Sequence, residues 1–321
     1  MSAPQEWDER PLRPGLAVAW MLLASTLFAV MNLLAKRAMR EAPWHEVAFG
    51  RAAFGASIIY LSARSRRVSL AIHDHASLRR RTLAGTIAMA TSFLALSRLP
   101  LGDAVTISNL TPLLVAIAAQ RALGEATSST LGVSIVLGFT GVATLAGPQL
   151  HGLDHHAVGL AAALVSASAS AVAMIQLRRL GRRETAEAVS FQFVAWSAVA
   201  MLAIGGFSTL SGVSRWVMPS ASVAASIAGA GLCGGLAQLT MTKAYAFDKA
   251  ARVGAVGYVS VVLSQVLGAA FLGDRPTTTQ LLGACVVILS GVALVAGGAR
   301  ERRVKAVSPV AESMAQEGES S

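Results

Sequence analysis

The chain has 321 residues, of which 54% are apolar and 14% charged, against roughly 45–50% and about 25% in soluble domains. Such a composition excludes an ordinary soluble enzyme and describes an all-α integral membrane protein whose charge is confined to loops. The net charge of +10 comes from 27 Lys and Arg against 17 Asp and Glu; these cations fall between apolar runs, without a basic stripe of interleaved aromatics, so no nucleic-acid partner is expected.

Residues 1–14 are a polar segment with Arg10 and Arg13 ahead of the first apolar run. That run has about the ~20 residues of a spanning helix and no small-x-small exit site, so it reads as a retained helix and not a cleaved signal. Ten apolar segments can be marked, at 16–35, 47–63, 82–96, 104–123, 130–146, 158–177, 188–210, 223–246, 253–272 and 281–299, the third extending toward Arg98. Residues 64–81 and 147–157 read as loops, and residues 298–321 as a basic run followed by a Glu/Ser-rich cytoplasmic tail that is expected to be disordered. Cys233 and Cys285 lie inside apolar runs and read as small buried hydrophobes, not a disulfide or metal pair.

With the N-terminus in the cytoplasm, 20 of the basic residues fall inside and 7 outside, the outer set being Lys36, Arg37, Arg40, Arg51, Arg98, Arg215 and Arg275. This positive-inside bias places both termini in the cytoplasm. The stretch 95–126 recurs at an offset of 149 without a gap, putting Ala95 on Ala244, Leu114 on Leu263, Gly124 on Gly273 and Glu125 on Asp274. The third spans share the offset, Gly85 on Gly234 and Thr91 on Thr240, and it sets Asn109 on Tyr258; the first spans align at 144, which sets Asn32 on Gln176. Two copies of one five-helix unit, 15–147 and 158–297, are therefore expected. Five spans per copy is odd, so the copies insert in opposite directions as an inverted repeat.

The first-half string LPLGDAVTISNLTPLLVAIAAQRALGE, its second-half partner ending in LGD, and the endings GVATLAG and GVALVAG resemble the EamA-type drug/metabolite transporters over residues 15 to 297. The resemblance implies a ten-helix carrier with a central cavity between the halves, no cofactor, and a small-molecule metabolite moved by alternating access across the bacterial inner membrane. It also admits a homodimer through the peripheral helices. RRTLAGTIAMATSFLALSRLPLGDAV looks most like carriers of S-adenosylmethionine-like or riboflavin-like metabolites, with amino-acid-like substrates close by. The second copy departs from the first in having Val261 where the first has Pro112, which unsettles the expectation that both halves bend alike. The rival reading is an intramembrane enzyme or a non-transporting sensor on the same bundle. No H-E-x-x-H, G-x-S-x-G or phosphate-binding Gly loop supports an enzyme.

Pro112 lacks an N–H, so the Ser108 carbonyl loses its helical partner and the fourth span is expected to kink. The freed carbonyl beside Asn109 and Thr111 serves either substrate or a neighbouring donor. Asn32 and Gln176 set amide groups at equivalent points of the two halves, as substrate contacts or as interhelical hydrogen bonds. Gln238, Gln265 and Tyr258 follow by the same logic. Lys36 and Arg51 read as counter-charges for an anionic or zwitterionic substrate at an outer vestibule, or as side chains that snorkel or pair with Glu41 or Glu46. No Asp, Glu or His falls near the middle of a span, so uniport or exchange is expected in place of a carboxylate proton relay. The loop clusters at His73–His75 and His151–His156 fit no zinc spacing, and no metal site is expected.

Overall fold

The computed structural model describes residues 13–123, 131–146, 156–181, 183–290 and 292–293. Several helices start where the sequence supplies a start signal. Pro14 opens α1 (Pro14–Ala38) from within its first turn, where a missing N–H costs nothing. Pro43 precedes α2 (Trp44–Ser65). Asp74 accepts the Ser77 N–H at 2.9 Å and caps α3 (His75–Arg98). This cap corrects the sequence reading: α3 begins at His75 instead of 82, the loop contracts to residues 66–74, and Arg79, Arg80 and Arg81 are helical.

The fourth pass is broken into α4 (Leu101–Ser108) and α5 (Thr111–Leu123), and α6 is Leu131–Ala146. The second half runs through α7 (His156–Gly181), α8 (Ala186–Leu210) and α9 (Ala221–Phe247), the last two capped by Thr185 and Ser220. Its fourth pass is likewise broken, into α10 (Ala250–Val256) and α11 (Val259–Leu267), which continues into a π turn, Gly268–Leu272. The last helix, α12, is Thr278–Ser290. With each broken pair taken as one pass, the described helices make ten passes, five per half. Six are long and apolar enough, by length and composition, to cross a bilayer.

Packing obeys a pseudo-twofold. α1 packs on α9 and α3 on α7; because α1 corresponds to α7 and α3 to α9 in the repeat, these are one contact made twice. α2 packs on its own counterpart, α8. α4 meets α11 while α5 meets α10, an antiparallel crossing that an inverted repeat requires. Small residues bring the helices close: a Cβ added at Gly141 of α6 would stand 2.8 Å from the Gly283 carbonyl oxygen of α12. The outward faces are apolar, with Leu83, Val136, Phe207 and Phe271 exposed on the outer surface, as a bilayer-facing surface requires. Both cysteines are free, but Cys285 is on this outer surface and not buried as its apolar setting suggested.

Candidate functional site: a central cavity between the halves

Both breaks are built from backbone that no longer follows the α pattern. At the first, Pro112 offers no donor, and the Thr111 hydroxyl donates to the Ser108 carbonyl at 2.7 Å in its place. The Asn109 amide nitrogen donates to the Val105 carbonyl at 2.8 Å and reaches the Ser260 hydroxyl of the other half at 3.3 Å. At the second break, Gly257, Ser260 and Val261 donate to the carbonyls of Gly254, Gly257 and Tyr258 at 3.0, 2.9 and 3.0 Å, tight i→i+3 bonds that narrow the helix. So the halves do break alike, although only one has a proline. Gly254 lets the second crossing close: a Cβ there would lie 3.3 Å from the Pro112 Cβ.

Between these crossings and the α1, α3, α7 and α9 helices lies a cavity of about 250 Å³. Its polar wall includes Ser25, Asn32, Asn109, Ser170 and Gln238, of which the Ser25 hydroxyl and the Gln238 amide nitrogen are buried without a hydrogen-bond partner among the described residues. Five of the chain's ten methionines, Met21, Met31, Met89, Met174 and Met241, supply much of the remainder; flexible thioethers let such a wall adapt to its guest.

Two arginines complete the wall. Arg51 of α2 is 4% exposed; its Nη1 lies 3.0 Å from the Met89 Sδ and its Nε 3.3 Å from the Met31 Sδ. It is in the cavity, not at an outer vestibule, and pairs with neither Glu41 nor Glu46. Those carboxylates are engaged elsewhere, Glu41 with the Ser220 hydroxyl and Glu46 with the Val217 N–H. Arg81 of α3, 1% exposed, sets its guanidinium carbon 4.0 Å above the centre of the Phe193 ring, a cation–π contact. Sequence reasoning missed it by assigning it to a cytoplasmic loop. The signal was the helical spacing Leu78, Arg81, Gly85, Ala88 and Met89, all buried, while Arg79 and Arg80 are exposed.

The other expected site residues divide. Asn32, Asn109, Pro112, Gln238 and Arg51 line the cavity, and Gln176, Tyr258, Gln265 and Lys36 do not. Gln176 is 7% exposed, with its amide oxygen unpartnered among the described residues; α7 contributes Ser166, Ser170, Ala173 and Met174 to the wall, and Gln176 lies off that stripe. Tyr258 is buried, and the Gln265 amide packs over Gly102. Lys36 neither snorkels nor binds a carboxylate directly: its ammonium donates to the carbonyls of Leu96 and Leu99 at 2.7 Å each, closing the C-terminus of α3. Arg178 does the same for α9 through Tyr245 and Ala246, at 2.9 and 3.2 Å. Leu96 and Tyr245 are repeat equivalents at the 149 offset, so each half locks its third helix with a cation from its first.

The sequence matches the EamA-like transporter family over residues 15–147 and again over 157–297. The chain belongs to the EamA-like transporter family. It is a multi-pass membrane transporter, and relatives of established function agree. The pseudopaline exporter CntI of Pseudomonas aeruginosa is 25% identical over 285 residues, 88% of this chain and 96% of that protein. Human solute carrier family 35 member G1 is 25% identical, over 87% of this chain and 78% of that one, and the riboflavin transporter of Rhizobium johnstonii is 22% identical, over 91% and 95%. A solved structure superposes with a TM-score of 0.71 at 21% identity, covering 90% of this chain and 99% of the other, which supports the shared fold. Within this EamA-like frame the broken fourth helices, the signature segment of the sequence, are the elements that cross at the cavity.

Proposed function

We propose that the protein moves a compact polar metabolite across the bacterial inner membrane by alternating access, the two halves rocking about the central cavity. The observation that carries this reading is the antiparallel crossing of α4–α5 with α10–α11 beside the cavity. Interrupted helices survive at membrane depth only where protein or a watery cavity satisfies their backbone, and carriers built from inverted repeats bind at such a place. Substrates of S-adenosylmethionine-like, riboflavin-like or amino-acid-like chemistry are the candidates. The reading is non-enzymatic, with both termini cytoplasmic, no nucleic-acid partner, and lipid-facing helices on which a homodimer could form.

The test is counterflow in proteoliposomes, with internal and external solutes identified by mass spectrometry. A carrier accumulates intact solute against an internal pool. Chemical conversion of the solute would establish the enzyme reading instead, and ligand binding with no flux would establish the sensor.

A further inference from the structure

We infer that the substrate is a compact organic anion, bearing two acidic groups or a phosphate, whose charge is met by Arg51 and Arg81. This inference rests on the carrier reading above and deepens it. Both guanidiniums line the same cavity and are almost wholly buried. Taking such an ion out of water costs several kcal/mol even after relaxation, and a buried cation ordinarily has a carboxylate beside it. Neither has one among the described residues. The Arg51 guanidinium contacts two thioethers, weak acceptors, while Arg81 rests on the face of Phe193, with Tyr245 in the same wall, and its Nε has no acceptor among the described residues. The described cavity wall contains no Asp, Glu, His or Lys. It therefore presents two positive charges in one wall and no carboxylate, the Tyr245 phenol being the one further ionisable group there.

Their placement follows the repeat even though the arginines do not. Arg81 lies over Gly85 and Arg51 over Gly234, and these glycines are equivalent at the 149 offset. The residue equivalent to Arg81 is Ala230; the second half receives its cation from α2 instead. The result is a guanidinium at each of two pseudo-symmetric points of one cavity, the arrangement that suits an acidic group at either end of a short molecule. Guanidinium forks hold carboxylate and phosphate bidentately, and the Met and Phe surfaces between them accommodate a carbon body. A cavity of about 250 Å³ sits below the size of drug-binding pockets. A net cation such as a sulfonium meets two like charges here, so among the candidate chemistries named above this inference favours an acidic, amino-acid-like substrate over the S-adenosylmethionine-like and riboflavin-like ones.

The experiment measures thermal stability in detergent and flux in proteoliposomes for the wild type, Arg51→Met, Arg81→Met and Arg81→Lys, with succinate and phosphoglycolate against succinamide and putrescine, alongside a wider metabolite panel sorted by charge. Without ligand, both Met variants should melt higher than the wild type, because each removes a buried charge that has no carboxylate beside it; a structural arginine would make them melt lower. The anions alone should stabilise the wild type, with affinity reduced about ten- to hundredfold in either Met variant and partly retained in Arg81→Lys. Succinate against phosphoglycolate separates carboxylate from phosphate chemistry. If neutral or cationic solutes bind and move as well as anions, the carrier reading stands and this inference falls. Met variants that melt no higher than the wild type also overturn it. Absence of flux for every solute in the panel counts against the carrier reading itself.

Discussion

Arg51 of α2 lies across Gly234 of α9, where an added Cβ would stand 2.6 Å from the Arg51 Nε and 2.8 Å from the Met31 Sδ. The missing side chain is what seats the guanidinium. We predict that Gly234→Ala displaces Arg51 and weakens substrate binding, beyond the ~1–3 kcal/mol stability cost of overpacking. Gly231→Ala is the control, because its Cβ would strike the Phe54 Cβ and approach the α2 backbone without reaching the guanidinium. It should lower the melting temperature and leave affinity intact. Equal affinities in the two variants would show that Gly234 serves only helix packing.

The repeat-related amides should separate in their effects. Asn32 faces the cavity and Gln176 does not. Asn32→Leu removes a donor and an acceptor from the wall, and a loss of about 1–3 kcal/mol corresponds to roughly 5- to 150-fold in affinity. Gln176→Leu should leave affinity unchanged and alter stability by less, since interhelical hydrogen bonds in membranes average ~0.6 kcal/mol. Titrating both variants decides the matter; a matching affinity loss in Gln176→Leu would contradict the geometry.

Lys36 and Arg178 are predicted to act on stability alone. Lys36→Met deprives the Leu96 and Leu99 carbonyls of the ammonium, and Arg178→Met does the same at Tyr245 and Ala246. Each unsatisfied buried group costs about 1–3 kcal/mol, so both variants should melt earlier with unaltered substrate affinity. Weakened binding in Lys36→Met, at unchanged melting temperature, would return Lys36 to the substrate path.

How far the sequence carried this picture depends on the length scale of each signal. The two-copy, all-helical architecture was legible because a 149-residue offset aligns whole helices at once. Asn32, Asn109 and Gln238 could be singled out because a polar group inside an apolar run faces protein far more often than lipid. Arg51, singled out on the same ground, was assigned to the outer vestibule because its depth in the bundle is not encoded in its position along the span. Gln176 satisfies the same test and faces protein away from the cavity, a distinction of helix rotation that hydropathy does not encode. Arg81 was hidden by its neighbours: a three-arginine run reads as loop until the Asp74 cap is seen to start the helix upstream of it. The second helix break was missed through attention to proline, when Gly254 and Gly257 loosen the same part of the other copy.

Orientation has its own check. In a background without Cys233 and Cys285, a cysteine replacing Ser69, in the loop between α2 and α3, should be shielded from an impermeant thiol reagent in intact cells. One replacing Ser211, at the end of α8, should be labelled, because the arginine-rich side stays cytoplasmic. The reverse pattern would invert the topology.

The most direct test of the carrier account is the two-sided accessibility of the cavity wall. Ser170 lines the cavity and is half-buried. A Ser170→Cys variant without Cys233 and Cys285 can be treated with a membrane-impermeant thiol reagent from outside right-side-out vesicles and, separately, from outside inverted ones. Alternating access predicts labelling from both faces, with transported substrate protecting against each. Reaction from only one face, unchanged by any transported solute, would contradict it.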